Sequence, residues 1–251
     1  MRPETPAHRV FTKHYADPHR AGAAAAHHRW LTGLGAPTPR LLAVRGRRVD
    51  FEHITGHHVR PDDVPAVAEL LGQLHAAAYR ITSYMSTMDD RVLDGRHVIP
   101  GFVACRTATI RRRLAAGSVP DPRFTGDEAE QLLQAAADQP AAFYKDTNAR
   151  NVLITTDGPV LIDFDDLTLA PFGYDLAKLL LTAAMTYGPL SDGLIGTALD
   201  TYNRKATGIA GAEAQCSLPE LVAWIETHHI LTSPYVGRHG YNRSWHTLRP
   251  W

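Results

Sequence analysis

The sequence predicts an α+β protein of two lobes, in which a small N-terminal sheet with one helix precedes a mostly helical C-terminal lobe that carries a short β-hairpin. Three observations predict this class. β-forming residues dominate residues 10–15, where successive side chains alternate between two faces. From residue 67 onward, apolar residues recur at spacings of three and four. One pair of short apolar runs interrupts the helical part at residues 151–164.

The N-terminal lobe begins with the predicted strand over residues 10–15. An alanine-rich run predicts a helix over residues 21–34, because alanine has the highest helix propensity. Two apolar segments, residues 41–44 and 49–52, flank a glycine-containing turn, which is typical of a hairpin. We therefore expect a truncated, mixed sheet with a single helix.

The C-terminal lobe is predicted to begin with a helix that Asp62 caps and whose apolar positions run from Val67 to Ala78. Three further helices are expected, at residues 102–116, 128–137 and 218–231. Capping-box patterns, Thr125 with Glu128 and Ser217 with Glu220, open the last two of these helices.

One hairpin is expected inside this helical lobe. Its predicted strands are residues 151–155 and 160–164, joined by the turn sequence Thr-Asp-Gly-Pro. The boundary between the lobes is expected near residues 56–61, which gives lobes of residues 1–58 and 59–251.

Composition excludes several classes of protein. Lys plus Arg equals Asp plus Glu at 26 each, so no global charge attracts nucleic acid or an anionic membrane. The two cysteines are too few for a disulfide framework and show no metal-ligand spacing, which suits a reducing compartment. The start of the chain shows no apolar leader segment, and no run of 18 apolar residues occurs. We expect a cytoplasmic protein without nucleic-acid or membrane partners.

The candidate site lies around the predicted hairpin. Asp146 precedes its first strand, Asn151 begins that strand, and Asp163 lies near the end of its partner. A tight turn between paired strands brings Asn151 and Asp163 close together, and the preceding loop presents Asp146 nearby.

These residue types suit phosphoryl transfer from a nucleotide. That reaction needs a carboxylate that orients the attacking hydroxyl and accepts its proton, and oxygen ligands that hold Mg²⁺ against the phosphates. Because Mg²⁺ takes few protein oxygens, one carboxylate and one amide carbonyl are sufficient. A lysine on a strand of the other lobe supplies positive charge in protein kinases. Lys13 lies centrally on the first predicted strand.

The arrangement resembles the aminoglycoside phosphotransferase and choline kinase family, from Val10 to about Gly188. The resemblance implies a protein-kinase-like two-lobe fold, with Asp146 as the catalytic-loop aspartate, Asn151 and Asp163 as metal ligands, and Lys13 as the phosphate-contacting lysine.

Two further segments carry the resemblance. Residues 51–56 look like the linker between lobes, so that Glu52, His53 and Ile54 would meet adenine through their backbone groups. Residues 173–177 look like the family segment whose aspartate, here Asp175, braces the catalytic loop.

The chain departs from the family pattern in three places. The first glycine is Gly22, so we expect no glycine-bearing loop before Lys13. Helix residues 21–28 carry no glutamate to pair with that lysine, and His27 or His28 could take this place without giving the same charge pairing. The catalytic loop reads Tyr-Lys-Asp where the family commonly has His-Gly-Asp. Lys145 could therefore contact the transferred phosphoryl group or neutralise Asp146.

Other features are open to two interpretations each. Adjacent histidines point to different sides of a helix or strand and cannot easily share one metal ion. Asp165 and Asp166 could hold a second metal or a cationic acceptor, or cap a turn. Residues 111–113 are an arginine run that could bind an anion or form a solvated helix face. The aromatic C-terminal segment could line an acceptor pocket or pack on the helices. Its members are Tyr235, His239, Tyr241, Trp245 and Trp251.

We therefore predict an ATP- or GTP-dependent phosphotransferase that uses Mg²⁺ and moves the γ-phosphate to a hydroxyl group of a small molecule, with an aminoglycoside-like, amino-sugar-like or choline-like acceptor. Five acidic residues could form a pocket for a cationic acceptor if they converge: Asp165, Asp166, Asp192, Glu220 and Glu226. The competing hypothesis is a non-catalytic member of the fold that binds nucleotide or a protein partner as a regulator. Nucleotide transfer in place of phosphate transfer is a third possibility.

Overall fold

The computed structural model of the chain describes residues 9–82, 88–92 and 97–251. Residues 1–8, on which the expectation about the glycine-bearing loop partly depends, lie outside this part.

Seven helices occur in the described residues: α1 (Pro18–Gly33), α2 (Val64–Thr82), α3 (Ala104–Ala115), α4 (Gly126–Ala136), α5 (Tyr174–Tyr187), α6 (Asp192–Ala210) and α7 (Leu218–Thr232). The strands of the same residues are β1 (Val10–His14), β2 (Leu41–Arg45), β3 (Arg48–Glu52), β4 (His57–His58), β5 (Arg91–Val92), β6 (Val98–Ile99), β7 (Ala141–Tyr144), β8 (Val152–Thr155), β9 (Gly158–Leu161) and β10 (Thr168–Pro171). The α+β class is confirmed.

The N-terminal sheet is antiparallel and has the strand order β1-β3-β2. Phe11 pairs with Phe51, and Lys13 pairs with Val49. Because side chains alternate along a strand, these four residues share one face of the sheet. Helix α1 packs against β2 and β3. It begins at Pro18, three residues earlier than predicted, because the Asp17 carboxylate accepts a hydrogen bond from the Arg20 amide.

The predicted hairpin exists, but its second strand is shorter and lies earlier in the chain. Strands β8 and β9 pair from Val152 with Leu161 to Thr155 with Gly158. The prediction that this strand continues to residue 164 was wrong. The backbone at Asp163 has φ of 62°, which is incompatible with a strand. Asp163 therefore lies on the turn that follows β9.

The helical part contains two helices, α5 and α6, that the sequence pattern did not reveal. Every residue from Tyr174 to Met185 of α5 is buried. Helix α6 packs along α2, where a side chain at Gly72 would approach the Tyr202 carbonyl oxygen to 2.4 Å. The capping boxes of α4 and α7 are confirmed, since both threonine and serine caps exchange hydrogen bonds with their glutamates. Among the described residues, no helix has the length and apolar character needed to cross a membrane.

Candidate active site

A cavity of about 420 Å³ separates the N-terminal sheet from the β8–β9 hairpin. This volume lies within the range of about 300–1,000 Å³ that small-molecule sites occupy. Its walls are largely apolar and include Phe11, Phe51 and Leu153. Six of the seven residues predicted for the site line it: Lys13, Glu52, His53, Ile54, Asn151 and Asp163. The structure therefore brings together residues that are separated by up to 150 positions in the chain.

Asp146 is the seventh predicted residue. It is not among the residues that line the cavity, but its backbone carbonyl contacts Asn151, which is. The Asn151 Nδ2 group donates a hydrogen bond of 2.8 Å to the Asp146 carbonyl oxygen. Asp146 itself has φ of 60°, a left-handed conformation that non-glycine residues seldom adopt. Such strain is found where the surrounding structure holds the residue firmly, and functional loops are a common location.

The Asp146 carboxylate is contacted by four side chains, of which Asn151 makes the longest contact, 3.5 Å from its Nδ2 to Oδ2. The Tyr144 hydroxyl donates to Oδ1 at 2.6 Å, and the Lys178 ammonium lies 3.2 Å from the same oxygen. The Asn148 Nδ2 group donates to Oδ2 at 3.1 Å. Burial acts to raise the pKa of Asp146, but the charge of Lys178 and the Tyr144 hydrogen bond outweigh it and lower the pKa below its ordinary value. Asp146 is therefore an ionised carboxylate that can accept a hydrogen bond from a hydroxyl group.

Asp175 stabilises the loop that carries Asp146. Its carboxylate accepts hydrogen bonds from the amides of Lys145 and Thr147 and from the Thr147 hydroxyl. The side chain is fully buried, and burial raises its pKa to about 6. The brace fixes the backbone on both sides of Asp146, as the family resemblance implies.

Asn151 and Asp163 fit a divalent cation. Asn151 uses its Nδ2 group on Asp146, so its Oδ1 atom points away from that bond and is available as a ligand. The backbone amide of Ile162 donates to the Asn151 carbonyl at 2.9 Å, which ties the two candidate ligands together. Hard oxygen donors, one amide and one carboxylate, are the set that Mg²⁺ uses together with phosphate oxygens and water.

Lys13 is paired with two carboxylates. Its ammonium group lies 2.8 Å from Asp163 Oδ1 and 2.8 Å from Asp165 Oδ1. Burial acts to lower the pKa of Lys13, but both aspartates raise it above the ordinary value. Lys13 is therefore a fixed positive charge at the cavity.

The hypothesis that His27 or His28 takes the place of the missing glutamate was wrong. The His27 Nδ1 atom lies 2.9 Å from the Phe164 carbonyl oxygen, and the His28 Nε2 atom lies 2.7 Å from the Pro39 carbonyl oxygen. Both rings are thus engaged with backbone. The carboxylate partner of Lys13 comes instead from Asp165, two residues after the candidate metal ligand.

Lys145 is 1% exposed, and its ammonium donates to the Ile162 carbonyl at 2.7 Å. Burial lowers its pKa, although Asp175 acts in the opposite direction. Its charge is one of those that lower the pKa of Asp146, after that of Lys178, and its contact with the transferred phosphoryl group stays a prediction. Lys178 is the lysine that pairs directly with Asp146, and sequence reasoning missed it. The available signal was a lysine within an otherwise apolar helical run, residues 176–181.

The remaining candidates do not form a second site in the described residues. Of the five predicted acidic residues, Glu226 pairs with Arg249, Glu220 caps α7 and Asp192 lies in the first turn of α6, so these three do not join the other two. Asp165 and Asp166 do lie at the candidate site: Asp165 pairs with Lys13, and burial together with the charges of Asp146, Asp165 and Asp163 raises the pKa of Asp166. Arg111 pairs with Asp127 and Glu130, which supports a solvated helix face.

No cluster of three or more potential metal ligands occurs within the part of the chain that the structure describes. In the aromatic C-terminal segment Tyr241 and Trp245 are buried and pack in the core, whereas Tyr235, His239 and Trp251 are exposed.

Comparisons with known proteins agree with this geometry. The model of the phosphotransferase enzyme family matches residues 5–213. The fold is similar to amicoumacin kinase in complex with AMP-PNP, Ca²⁺ and Ami, with a TM-score of 0.60, 12% identity, and coverage of 88% of this chain and 72% of the other. It is also similar to an aminoglycoside phosphotransferase from Streptomyces rimosus in complex with ADP and streptomycin (TM-score 0.54, 16% identity, 88% and 86% covered).

Choline kinase LicA from Streptococcus pneumoniae has a similar fold too, with a TM-score of 0.55, 12% identity, and coverage of 92% of this chain and 79% of the other. At these identities the likeness concerns the fold alone. No curated protein sequence matched the chain.

Proposed function

Because this chain belongs to the phosphotransferase enzyme family, and is therefore a phosphotransferase for small molecules, we propose that it moves the γ-phosphoryl group of ATP or GTP, with Mg²⁺, to a hydroxyl group of its acceptor. One observation carries this proposal: Lys13, Asn151 and Asp163 line a single cavity, and Asn151 hydrogen-bonds the backbone of Asp146. The charge-bearing groups of phosphoryl transfer thus meet in one place.

The nucleotide base is proposed to occupy the apolar part of the cavity. Phe11 and Phe51 lie on the same face of the sheet, and Leu153 lies across the cavity from them on the hairpin. Aromatic and aliphatic side chains of this kind form the flat, dry walls that a purine ring fills. Residues 52–54 lie at the edge of this space, where their backbone can meet the base. The phosphates then extend toward Lys13.

The reaction requires one new bond and one broken bond. The acceptor oxygen attacks the γ-phosphorus, the bond from that phosphorus to the bridging oxygen breaks, and its electron pair leaves with the nucleoside diphosphate. Asp146 orients the acceptor hydroxyl and receives its proton. Lys13 contacts the phosphates, and Asn151 and Asp163 hold Mg²⁺. When bound, the metal offsets the negative charge that develops on the phosphate oxygens.

Turnover of the purified chain with MgATP and MgGTP tests the proposal. The assay follows nucleoside diphosphate release and the mass of the product over a panel of aminoglycosides, amino sugars and choline. We expect an acceptor that gains one phosphate group. Asp146→Asn should reduce kcat by about 100-fold or more, since a positioned base contributes about 10²–10⁴-fold, and nucleotide binding by calorimetry should persist. Asp157→Asn, in the exposed turn of the hairpin, is the matched control and should retain turnover.

The same experiment separates the competing functions. One observation favours the non-catalytic hypothesis: helix α1 carries no carboxylate that could pair with Lys13. Lys13 pairs instead with Asp163 and Asp165, in the segment that holds the candidate metal ligand. Nucleotide binding that is lost in Asp163→Asn, together with no turnover on any acceptor or on water, would support that hypothesis. A product that gains a whole nucleotide would indicate nucleotide transfer. Retention of full turnover by Asp146→Asn would exclude the proposed mechanism.

A further inference from the structure

The chain contains unusually few lysines, and most of them surround the candidate active site. Of the 26 basic residues counted as Lys plus Arg, four are lysines and 22 are arginines. Lys205 pairs with Glu69 on the surface. The other three are Lys13, Lys145 and Lys178, and each lies beside a carboxylate or a carbonyl of the site. Three of the four lysines thus lie at the site, although one arginine, Arg150, also lines the cavity.

Lys178 is one of the two lysines at the site that the proposed reaction does not use, and unlike Lys145 it forms an ion pair with Asp146. It lies on α5, where every residue from Tyr174 to Met185 is buried, and it is itself only 8% exposed. Bringing an ammonium group into such surroundings is costly unless it is paired. Its partners are Asp146 Oδ1 at 3.2 Å and the Thr232 hydroxyl oxygen at 3.2 Å. The charge of Lys178 is therefore compensated by the proposed catalytic base.

The contacts to Asp146 are divided unequally between its two oxygens. Oδ1 receives both strong donors, the Tyr144 hydroxyl at 2.6 Å and the Lys178 ammonium. Oδ2 receives only amide groups, from Asn148 at 3.1 Å and from Asn151 at 3.5 Å. Hydrogen bonds that involve ionised groups are the stronger ones. The two donors to Oδ1 restrict the rotation of the carboxylate. Oδ2 can therefore accept a further hydrogen bond, from the hydroxyl group of an acceptor.

Lysine suits this place better than arginine does. Its ammonium is a compact point charge with three donors, whereas the guanidinium group is a planar fork that favours two-oxygen contacts. A fork at Lys178 would engage both oxygens of Asp146 and compete with the acceptor. The enclosed space beside Thr232, inside a fully buried helix, also admits the smaller head group more readily.

We infer that Lys178 is a positioning residue for catalysis, which together with Tyr144 holds Oδ1 of Asp146 and so directs Oδ2 to the acceptor hydroxyl. This inference rests on the proposed function, because it assigns Lys178 a task within that reaction. It differs from a merely structural role, in which Lys178 would stabilise α5 and the loop without affecting the turnover of the folded protein.

The test compares four variants of the full chain. Lys178→Met removes the charge at similar length, and Tyr144→Phe removes the other donor to Oδ1. Thr232→Val removes the second contact of Lys178 and leaves the Asp146 pair intact. Lys205→Met removes a surface lysine. The probe is MgATP, with water as the acceptor when no other acceptor has been found. The measurements are kcat, KM for MgATP, thermal stability, and the crystal structure of Lys178→Met.

We expect Lys178→Met to lower kcat by about 100-fold, the scale of a misplacement of about 1 Å, while KM for MgATP stays within about twofold, or about 0.4 kcal/mol. Its crystal structure should show a rotated Asp146 carboxylate. Because Tyr144 and Lys178 share one oxygen, their effects on kcat should be non-additive. Thr232→Val and Lys205→Met should retain kcat.

Two results would overturn the inference. The first is a folded Lys178→Met protein with the kcat of the wild type. The second is a variant structure in which the Asp146 carboxylate is unmoved. If the wild-type chain turns over neither acceptors nor water, the proposed function fails, and the carboxylate position in the variant structure still decides whether Lys178 orients Asp146.

Discussion

The Asp165 carboxylate lies 2.8 Å from the Lys13 ammonium, at the same distance as the Asp163 carboxylate. Asp163 is the predicted metal ligand of the two. If Asp163 binds a metal ion, Asp165 would remain as the partner of Lys13. A short segment after β9 thereby supplies the charge pairing that helix α1 cannot supply, since α1 carries no carboxylate.

We predict that Asp165→Asn raises KM for MgATP with little change in kcat. The expected increase is about threefold to fivefold, because a partly exposed ion pair contributes about 0.5–1 kcal/mol. Steady-state kinetics at fixed Mg²⁺ measure both constants. Asp157→Asn is the control, and an unchanged KM in Asp165→Asn would show that the pair does not hold Lys13 for the nucleotide.

Asp175→Asn should destabilise the protein and reduce turnover together. The amide group presents N–H donors to the loop amides that now donate to the carboxylate, so at least one buried donor loses its acceptor. An unsatisfied buried polar group costs about 1–3 kcal/mol. Urea denaturation gives the stability change, and kcat reports the loosened Asp146. A variant with wild-type stability would contradict the assigned brace.

The C-terminal segment is predicted to be held by a buried ion pair. The side chains of Arg249 and Glu226 are 6% and 2% exposed, and Arg249 Nη2 lies 2.7 Å from Glu226 Oε2. Removing one charge from such a pair costs about 3–5 kcal/mol, because the other charge stays buried. Arg249→Met should therefore lower the free energy of unfolding by about 3 kcal/mol, and Glu226→Gln should lower it by less, because Arg249 keeps its ion pair with Asp121. In the double variant the loss should be smaller than the sum, as denaturant titration will show.

Stability should fall on acidification between about pH 7 and pH 4 because of five buried histidines, each of which has a lowered pKa caused chiefly by burial. They are His27, His28, His75, His228 and His229. The pKa of His75 is lowered to about 3. In this window the unfolded chain binds more protons than the folded one, so stability is lost as the pH falls.

Each histidine contributes a slope of at most about 1.4 kcal/mol per pH unit. Asp175 and Asp166 act in the opposite direction, since their raised pKa values, about 6 for Asp175, favour the folded state at low pH, but they are two groups against five. Denaturation midpoints at pH 7 and pH 5 test the prediction. His75→Gln should weaken the pH dependence, and His14→Gln, at an exposed position, should leave it as in the wild type.

Local patterns were sufficient for much of the fold. The alternation in β1 and the capping boxes of α4 and α7 depend on neighbours within four residues, and the structure has them as predicted. The spacing of Asp146, Asn151 and Asp163 along one hairpin is equally local. Helix α5 was not predicted, and every residue from Tyr174 to Met185 is buried, so its packing among the other elements is a tertiary property.

What the sequence by itself determined is the set of residue types that phosphoryl transfer needs and their order along the chain. What only the tertiary structure decided is which charges pair: Lys13 with Asp165, 152 positions apart, and Lys178 with Asp146, 32 positions apart. Ion pairs of this kind depend on the packing of distant elements, and burial then decides which of several nearby lysines meets a carboxylate. No local sequence pattern predicts which lysine pairs with which carboxylate, because the pairing depends on the distances and the burial that the folded chain creates.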